Sequence, residues 1–501
     1  MKSNIVVKNA GNKNILDTMK RYNRSMVWFR NDLRIHDNQA LSEMALESRE
    51  MIPVYCFDSR HFEKSSFGFP KTGKIRLRFL VESVLDLKKN LQDRGSDLLV
   101  LFGDPENIIP EIANSYNVEN VIWQDEVASE ETDVDFKLRE NLEQKGIDTM
   151  CTWGLTLYHV DESPFDYNSV PDVFTAFRKK VEKSTTVSDL YMAPKRFPAF
   201  PNEVEGYVEI PTEIKKLLEK SQYHPDAVLS FKGGESEALK RLDEYFWEGD
   251  HLKHYKETRN GLLGADYSSK FSPWLANGCI SPRYIYHQVK KYEAARVAND
   301  STYWLVFELI WRDYFKCIFL KYDDKLFMKN GIKNETTQWK TDNAVFEKWA
   351  NGNTGIPFID ANMRELNATG YMSNRGRQNV ASFFAKNLEL DWRMGAEYFE
   401  SMLIDYDVCS NYGNWAYVSG VGNDPRDRYF NIVGQAKRYD NNGEYVRTWL
   451  PELHELPSEY IHEPHKMLKS MQEIYGVTIG KDYPEPMIDL EKSYERIKSG
   501  R

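Results

Sequence analysis

The hydrophobic pattern of this chain changes once, near Gly233, and that change limits the folds open to it. Between Met26 and about Val160, five short apolar runs alternate with helix-length polar stretches: MVWFR, MIPVYCF, LLVLF, VENVIW and IDTMCTW. This alternation is typical of a parallel sheet with crossover helices. Beyond Gly233 the apolar residues recur with helical spacing, as in ESEALKRLDEYF, STYWLVFELIWRDYFKCIFL and GRQNVASFFAKNLELDW. The second part of the chain is therefore predicted to be almost entirely α-helical.

These patterns predict two domains, which suits a chain of 501 residues that exceeds one compact core. We expect an α/β domain with a doubly wound parallel sheet over residues 26–160 and a larger all-α domain, with a C-terminal tail, over residues 226–501. Residues 161–225 are rich in Pro, Lys and Glu and contain MAPKRFPAFP. This composition favours a linker that is an extended connection without a core element.

Residues 1–25 are expected to form a leader outside the fold. They carry six Lys and Arg residues against a lone Asp17, a charge bias that suits either an organelle transit peptide or a flexible segment. No apolar run follows these charges, which argues against a secretory signal. We therefore predict an intracellular protein, located in the cytoplasm or nucleus or, if the leader is a transit peptide, in a mitochondrion or plastid.

The composition excludes several classes of partner. The formal net charge is -10, so contact with DNA requires a local basic patch. No window is apolar enough to span a bilayer, and we expect no membrane partner. The five cysteines are isolated and lack the spacing of zinc, iron–sulfur or disulfide frameworks. We expect them to be small core residues of a monomer in a reducing compartment, with no metal site.

A phosphate site is predicted in the helical domain. The first strand is followed by NDLR and not by a glycine-rich turn, which argues against a standard dinucleotide site in the α/β domain. The run ADYSSKFSPWLANGCISP instead supplies Ser268, Ser269, Lys270 and Ser272, with Pro273 suited to the first position of a helix capped by Ser272. Hydroxyls, a cation and free helix N–H groups suit a pyrophosphate. Taken alone, the run also fits a capped helix without a ligand.

Two further runs place polar groups beside apolar helices. In SNRGRQNVASFF, hydrogen-bonding side chains gather at a helix start: Asn374, Arg375, Arg377 and Gln378. In LIDYDVCSNYGNWAY, two carboxylates and an amide are spaced to line one cavity: Asp405, Asp407 and Asn411. Since an unpaired buried charge is strongly destabilising, we predict that Arg377 pairs with Asp405.

Tryptophans are concentrated in the helical region: Trp247, Trp274, Trp304, Trp311, Trp339, Trp349, Trp392, Trp415 and Trp449. Core packing is the ordinary role of each one. A subset can instead relay electrons, because indole is among the most easily oxidised side chains, and spacing alone does not decide between the two roles.

In this combination the chain resembles the photolyase/cryptochrome family from Met26 to Leu453. The resemblance rests on several motifs in order: VWFRNDLRIHDN, SSKFSPWLANGCISPR, LIWRDYF, TGIPFIDANMRELNATGYMSNRGRQNVASF, LIDYDVCSNYGNWAY and GVGNDPRDRYFNI. The last motif, Gln378 after NRGR and Tyr417 after Asn-Trp-Ala are similar to the DASH branch, since many bacterial dimer photolyases have methionine and tryptophan at the latter two positions. The resemblance implies an antenna-binding α/β domain joined to an α-helical FAD domain.

The resemblance assigns roles around FAD. The residues implied to hold its phosphates and ribose are Tyr255, Ser268, Ser269, Lys270, Phe271 and Ser272. Those implied to surround the flavin are Arg312, Asn374, Arg377, Asp405, Asp407 and Asn411. Asn411 is implied to face the flavin N5, where an amide adapts to either protonation state. Lys270 replaces the arginine common in other branches, which retains charge but loses the planar fork.

The resemblance also implies an electron relay and a lesion site. Trp415, Trp392 and Trp339 match the family's electron-transfer triad, which runs from flavin to surface. Side chains implied to contact a flipped dimer are Glu308, Trp311, Asn374, Arg375, Gln378 and Tyr417. Arg426 and Arg428 are candidates for the phosphate contacts that the net charge makes necessary.

The implied enzyme is a deoxyribodipyrimidine photolyase. Reduced FAD absorbs blue light, passes an electron to a cyclobutane pyrimidine dimer extruded into the cavity, and recovers it after the ring has split. The family resemblance suggests a preference for single-stranded or loop-exposed DNA, where the lesion is already unstacked. Glu126, in WQDEVASEE, matches a carboxylate that binds a pterin ring, which implies methenyltetrahydrofolate as the antenna.

Three alternatives differ in what they require. A blue-light photoreceptor would use the same flavin and triad with a regulatory role and little repair, and such receptors often carry a longer C-terminal extension. An ordinary flavin oxidoreductase would need a nicotinamide site or an acid–base pair, and no glycine-rich fingerprint is present. A six-four photoproduct photolyase would place a histidine pair at the lesion mouth, where none of the predicted residues is histidine.

Overall fold

A computed structural model describes residues 21–204, 209–218, 223–335, 337–426 and 428–499 of the chain. The predicted leader therefore lies outside the described residues up to position 20. Strand β1 already begins at Tyr22, and Arg24 within it pairs with Glu50 on the next strand. The fold thus starts four residues before the boundary that the charge pattern suggests. The boundary was missed because composition does not distinguish a basic residue at the start of a strand from one in a leader.

The first domain is built on a five-stranded parallel sheet, as predicted. Its strands are β1 (Tyr22–Phe29), β2 (Ser48–Asp58), β3 (Leu99–Gly103), β4 (Asn120–Gln124) and β5 (Asp148–Thr152), in the order β3-β2-β1-β4-β5. The helices that follow the first four strands are α1 (Gln39–Glu47), α2 (Lys74–Gln92), α3 (Pro105–Ser115) and α4 (Ser129–Glu143). All five apolar runs form strands; β1, β2 and β4 are largely buried between helices on the two faces of the sheet, whereas β5 is an edge strand and only half-buried.

The segment between the domains contains helices α5 (Phe174–Ser184) and α6 (Thr212–Leu218). The prediction of an extended connection without a core element is wrong for α5, which buries Phe174, Phe177 and Val181. These residues recur at helical spacing, but Arg, Lys and Glu occupy most positions between them, so the average composition conceals an amphipathic helix.

The remainder of the chain is helical, as predicted. Its α-helices are α7 (Glu235–Asp243), α8 (Tyr255–Thr258), α9 (Ser272–Ala276), α10 (Pro282–Ala295), α11 (Asp300–Tyr322), α12 (Asn343–Ala350), α13 (Pro357–Thr369), α14 (Asn374–Ser382), α15 (Trp392–Met402), α16 (Val408–Ser419), α17 (Ile432–Tyr439), α18 (Glu444–Trp449), α19 (Lys469–Tyr475) and α20 (Leu490–Lys498). The apolar period of GRQNVASFFAKNLELDW spans a break between α14 and α15, where Glu389 has a positive φ of 60°. No helix in the described part of the chain is both long and apolar enough to cross a bilayer.

The two domains share one hydrophobic core. A continuous cluster joins Phe79 and Leu87 of α2 to Trp274 and Ile310 of the helical domain, while the opposite face of the sheet has its own smaller core around Trp123. Buried polar contacts reinforce the junction: Arg283 pairs with Asp37 at 2.9 Å. Four of the five cysteines are buried, as expected for core residues, and Cys151 is half-buried.

Candidate functional site

A cavity of about 690 Å³ lies in the helical domain, and the name central cavity is used for it below. Its walls come from α8, α9, α11, α14, α16 and the start of α5. The predicted residues that line it are Tyr255, Ser268, Ser269, Lys270, Phe271, Ser272, Glu308, Trp311, Arg312, Asn374, Arg377, Gln378, Asp405, Asp407, Tyr417, Arg426 and Arg428. On α11 the lining residues Glu308, Trp311, Arg312 and Phe315 follow helical spacing, so one face of this helix forms a wall.

Lys270 is the most buried cation on the cavity wall. It is 3% exposed and its backbone has a φ of 57°, in the left-handed region. Its Nζ atom has no hydrogen-bond partner in the described chain and lies 3.1 Å from the ring centroid of Tyr267. Burial holds the pKa of Lys270 well below its usual range. A buried amine that lacks a partner and borders a cavity suits an anionic ligand such as a phosphate.

The serine-rich loop beside Lys270 is held in place from behind. Arg241, on α7, donates to the backbone oxygens of Ser268 and Ser269, each at 3.2 Å. The predicted cap is wrong by one position: α9 begins at Ser272, and the cap position is occupied by Phe271, whose side chain cannot accept a capping hydrogen bond. Arg241 was not predicted, because no local pattern links it to a loop 27 residues later.

The predicted pair between Arg377 and Asp405 is present. Arg377 Nη2 lies 2.7 Å from Asp405 Oδ2, and Arg377 Nε donates to the Met372 oxygen at 2.9 Å. Burial opposes the charge of Arg377, but Asp405 raises its pKa above the usual value. The second carboxylate oxygen of Asp405, Oδ1, is buried and has no hydrogen-bond partner among the described residues. The pair therefore leaves one acceptor for a ligand at the inner end of the cavity.

Asp407 and Asn411 lie at the start of α16, where Asp407 caps the helix through the Ser410 N–H at 2.8 Å. Burial opposes the Asp407 charge, but Lys316 and Arg312 hold its pKa well below the usual range, and Lys316 Nζ is 2.8 Å from Oδ2. Asn411 lies one turn after Asp407 on α16 and does not border the cavity in the described chain; its Nδ2 donates to the Ala396 oxygen at 2.9 Å. The role implied for it at the flavin N5 stays a prediction.

The outer end of the cavity is aromatic and half-exposed. Glu308 pairs with Arg259, and burial raises the pKa of Glu308 while Arg259 opposes that shift. Trp311 stacks on Phe174 with ring centroids 3.6 Å apart and meets Tyr417 edge-on at 6.3 Å. Residue spacing did not predict that Arg259 and Phe174 contact Glu308 and Trp311, since they come from the segments of α8 and α5 and not from α11.

Three predicted arginines take different positions. Arg428 borders the cavity and its Nε lies 3.0 Å from Asp424 Oδ2, while Arg426 lies on the same wall. Arg375 does not line the cavity, contrary to expectation. It turns toward Gln378, Asn260 and Gln435, with donor–acceptor distances of 3.0, 2.9 and 3.3 Å.

The three tryptophans of the predicted relay lie outside the cavity wall and inside the core. Trp392 and Trp415 are buried, and Trp339, the predicted surface end, is 9% exposed. The indole N–H groups of Trp339 and Trp392 both donate to the Lys329 oxygen at 3.1 Å. On α15, a Cβ atom at Gly395 would lie 2.2 Å from Trp415 Cη2, so the helix that carries Trp392 packs directly on the Trp415 ring.

Glu126 lies in the α/β domain, apart from the central cavity. It is buried, and its Oε1 atom has no hydrogen-bond partner in the described chain. Burial raises the pKa of Glu126, with Arg30 opposing, and Arg30 itself pairs with Asp135 at 2.5 Å. A buried acceptor without a donor fits a ligand that carries ring N–H groups.

The chain matches known proteins over nearly its whole length. Residues 304–500 match the FAD binding domain of DNA photolyase, and residues 25–202 match the model described as DNA photolyase. Cryptochrome DASH of Gloeobacter violaceus is 52% identical over 469 residues, or 93% of each chain.

Two solved structures show the same architecture. A Synechocystis cryptochrome has a TM-score of 0.92 at 49% identity, and the match covers 96% of this chain and 100% of that chain. A class III photolyase from Agrobacterium tumefaciens has a TM-score of 0.83 at 30% identity, with 97% and 98% covered. The chain therefore belongs to the cryptochrome DASH branch of the photolyase/cryptochrome family and carries that family's FAD-binding domain.

Proposed function

We propose that this protein is a blue-light-driven DNA photolyase that repairs cyclobutane pyrimidine dimers in single-stranded or loop-exposed DNA. The observation that carries the proposal is the composition of the central cavity, which joins a buried polar inner end to an aromatic mouth. Bound, reduced FAD supplies an electron under blue light, which a dimer accepts and returns after its ring has split.

The inner end fits the cofactor's charged part. Lys270 offers an unpartnered amine to the diphosphate, and the loop of Ser268, Ser269 and Ser272 offers hydroxyls beside it. Asp405 offers one carboxylate oxygen to an N–H or O–H donor of the cofactor, while Arg377 pairs with the other oxygen. These groups are held before any ligand arrives, which reduces the ordering needed on binding.

The mouth fits a pair of unstacked bases. Trp311 and Tyr417 meet nearly at right angles and form an aromatic corner, and Glu308 supplies a hydrogen-bond acceptor beside it. Aromatic faces bind bases of any sequence by stacking, whereas a carboxylate discriminates by the base N–H groups it contacts. The side chains of this mouth therefore bind and orient the lesion, and they exclude water from it.

The charges of the mouth support a preference for single strands. Arg259 is paired with Glu308 and Arg428 with Asp424, so part of the positive charge of the mouth is already neutralised. Extruding a dimer from a duplex requires unpairing and unstacking that a single strand does not. With a formal net charge of -10, the protein has no global attraction for DNA to offset that difference.

We propose methenyltetrahydrofolate as the antenna, held by Glu126. The unpartnered Oε1 of Glu126 supports this assignment, because the amino and ring N–H groups of a pterin are donors. Glu126→Gln is expected to remove the antenna absorbance from purified protein while the flavin absorbance stays unchanged.

The test of the proposed function is light-dependent repair of one cyclobutane thymine dimer in a single-stranded oligonucleotide and in the matched duplex. Chemically reduced protein is illuminated with blue light beside a dark control, and restored thymines are quantified. The proposal expects repair of the single strand that exceeds repair of the duplex. No repair of either substrate, with flavin present and photoreducible, would favour the second candidate, a photoreceptor with the same flavin and tryptophans.

A further inference from the structure

Helix α5 belongs to the segment between the domains, yet its first residue reaches the central cavity. Phe174 is 7% exposed and lines the cavity together with Asp172, Val173 and Thr175. Its ring lies flat on the Trp311 indole, with centroids 3.6 Å apart and planes 11° from parallel. This is the closest ring pair in the described chain, and it joins the interdomain segment to the lesion mouth.

Two further aromatic rings contact the edges of the Phe174 ring. Phe307 and Tyr314 meet its ring edge-on, at 5.2 and 5.5 Å, with interplanar angles of 84° and 67°. Both belong to α11, as does Trp311. Edge-to-face and stacked neighbours on one helix leave the Phe174 ring a single orientation relative to that helix.

The backbone that carries Phe174 is tied to the same helix two residues earlier. The Asp172 backbone oxygen accepts hydrogen bonds from the Tyr314 hydroxyl and from Asn423 Nδ2, the latter at 3.0 Å. The Asp172 carboxylate accepts from Lys321 Nζ at 2.7 Å and from the Tyr322 hydroxyl at 2.6 Å. Phe174 is therefore a fixed part of the α11 wall and not a side chain that is free to leave it.

An indole ring has two faces, and Phe174 covers one of them. We propose that Phe174 is a positioning residue for the lesion: it sets the plane of Trp311 and leaves one indole face for a flipped pyrimidine. Phe174, Trp311 and the base then form a three-layer stack. The inference rests on the proposed function and adds to it a residue from outside the helical domain.

The experiment measures binding and repair by flavin-loaded protein. The substrate is a single-stranded oligonucleotide with one cyclobutane thymine dimer, compared with its undamaged twin. Phe174→Leu retains apolar bulk without a flat ring, Phe174→Met is a second variant of the same kind, and Phe174→Tyr restores the ring. Phe177→Leu is the matched control, because Phe177 is buried one turn further along α5 and does not line the cavity.

The inference expects the Leu and Met variants to bind the dimer about 3- to 10-fold more weakly, a loss in the range of one aromatic contact. Binding of the undamaged strand and flavin content should stay as in the wild type, and repair per bound dimer should also fall. Phe174→Tyr and Phe177→Leu should retain wild-type binding. Flavin content and unfolding temperature show which of the two ring-deleting variants is folded.

Two results would overturn the inference while the proposed function stands. One is wild-type dimer binding and repair in a folded Leu or Met variant. The other is tighter dimer binding in that variant, which would make Phe174 an occupant of the base site and not its support. Absence of light-dependent repair by the wild type would overturn the proposed function, and the inference with it.

Discussion

The two ends of the central cavity differ in how their charges are satisfied. At the inner end, Lys270 Nζ and Asp405 Oδ1 have no hydrogen-bond partner within the described chain. At the mouth, Glu308 is paired with Arg259 and Arg428 with Asp424, and both arginines keep contact with solvent. The inner end therefore leaves a buried amine and a buried carboxylate oxygen for a ligand, whereas the charged side chains named at the mouth already pair with each other.

The largest expected effect separates the two ends directly. Asp405→Asn leaves the Arg377 guanidinium without its anionic partner, which is expected to lower the free energy of unfolding by about 3 kcal/mol and to remove most bound FAD. Asp424→Asn at the mouth removes the anionic partner of Arg428, whose side chain is 46% exposed. Because water can solvate Arg428 instead, the free energy of unfolding should fall by less than about 1 kcal/mol. Thermal unfolding and the ratio of flavin to protein absorbance measure both. Equal losses of stability and of flavin in the two variants would contradict the difference between the inner end and the mouth.

The tryptophan relay is expected to serve the inner end alone. Trp392→Phe should slow photoreduction of oxidised FAD at least tenfold, because phenylalanine is far harder to oxidise than indole. Repair by chemically reduced protein should be unchanged. Trp449→Phe, in the same core but outside the relay, is the control, and unimpaired photoreduction of the Trp392 variant would refute the relay.

At the mouth, Glu308→Ala is expected to slow repair about 10-fold while FAD stays bound. The estimate corresponds to the loss of one hydrogen bond to a charged group. Repair under saturating dimer and flavin absorbance are measured on the same sample. Full repair in this variant would remove Glu308 from the lesion site.

A smaller effect is expected from the basic side chain at the cavity rim. Arg428→Ala should weaken binding of single-stranded DNA about threefold and reduce the slope of log affinity against log salt by about 0.7, the value for one phosphate contact. The control is Lys466→Ala, which removes one positive charge from an exposed residue that does not line the cavity. Identical salt slopes for Arg428→Ala and the wild type would exclude a phosphate contact.

A last expected effect concerns pH. Burial raises the pKa of Glu365 to about 7, opposed by Tyr445, Lys270 and Arg377. Since the folded-state pKa exceeds the unfolded value, the contribution to stability is complete at low pH and lost as pH rises through about 7. The unfolding free energy of the wild type relative to Glu365→Gln should therefore fall between about pH 5 and about pH 8. A constant difference across this range would show that water reaches Glu365 as it reaches the mouth.

The strands of the first domain could be predicted because apolar residues concentrate in each of them, and this pattern is visible in a few consecutive residues. The pair of Arg377 and Asp405 could be predicted because two opposite charges beside apolar helices need each other. The partners of Glu308 and Trp311 could not: Arg259 and Phe174 come from α8 and α5, and only packing brings them to α11. The hydrogen bond from Asn411 to the Ala396 oxygen could not be predicted either, because it joins α16 to α15 through packing.

The carbonyl of Lys329 holds two indoles at once, each at 3.1 Å. A peptide oxygen accepts a hydrogen bond but is too weak a base to accept a proton at neutral pH. In the proposed relay, a positive charge on Trp392 or Trp339 would therefore not be trapped by loss of the indole proton to this oxygen. We expect the electron to pass between the two indoles without a proton, so replacing H₂O by D₂O should leave that step unslowed.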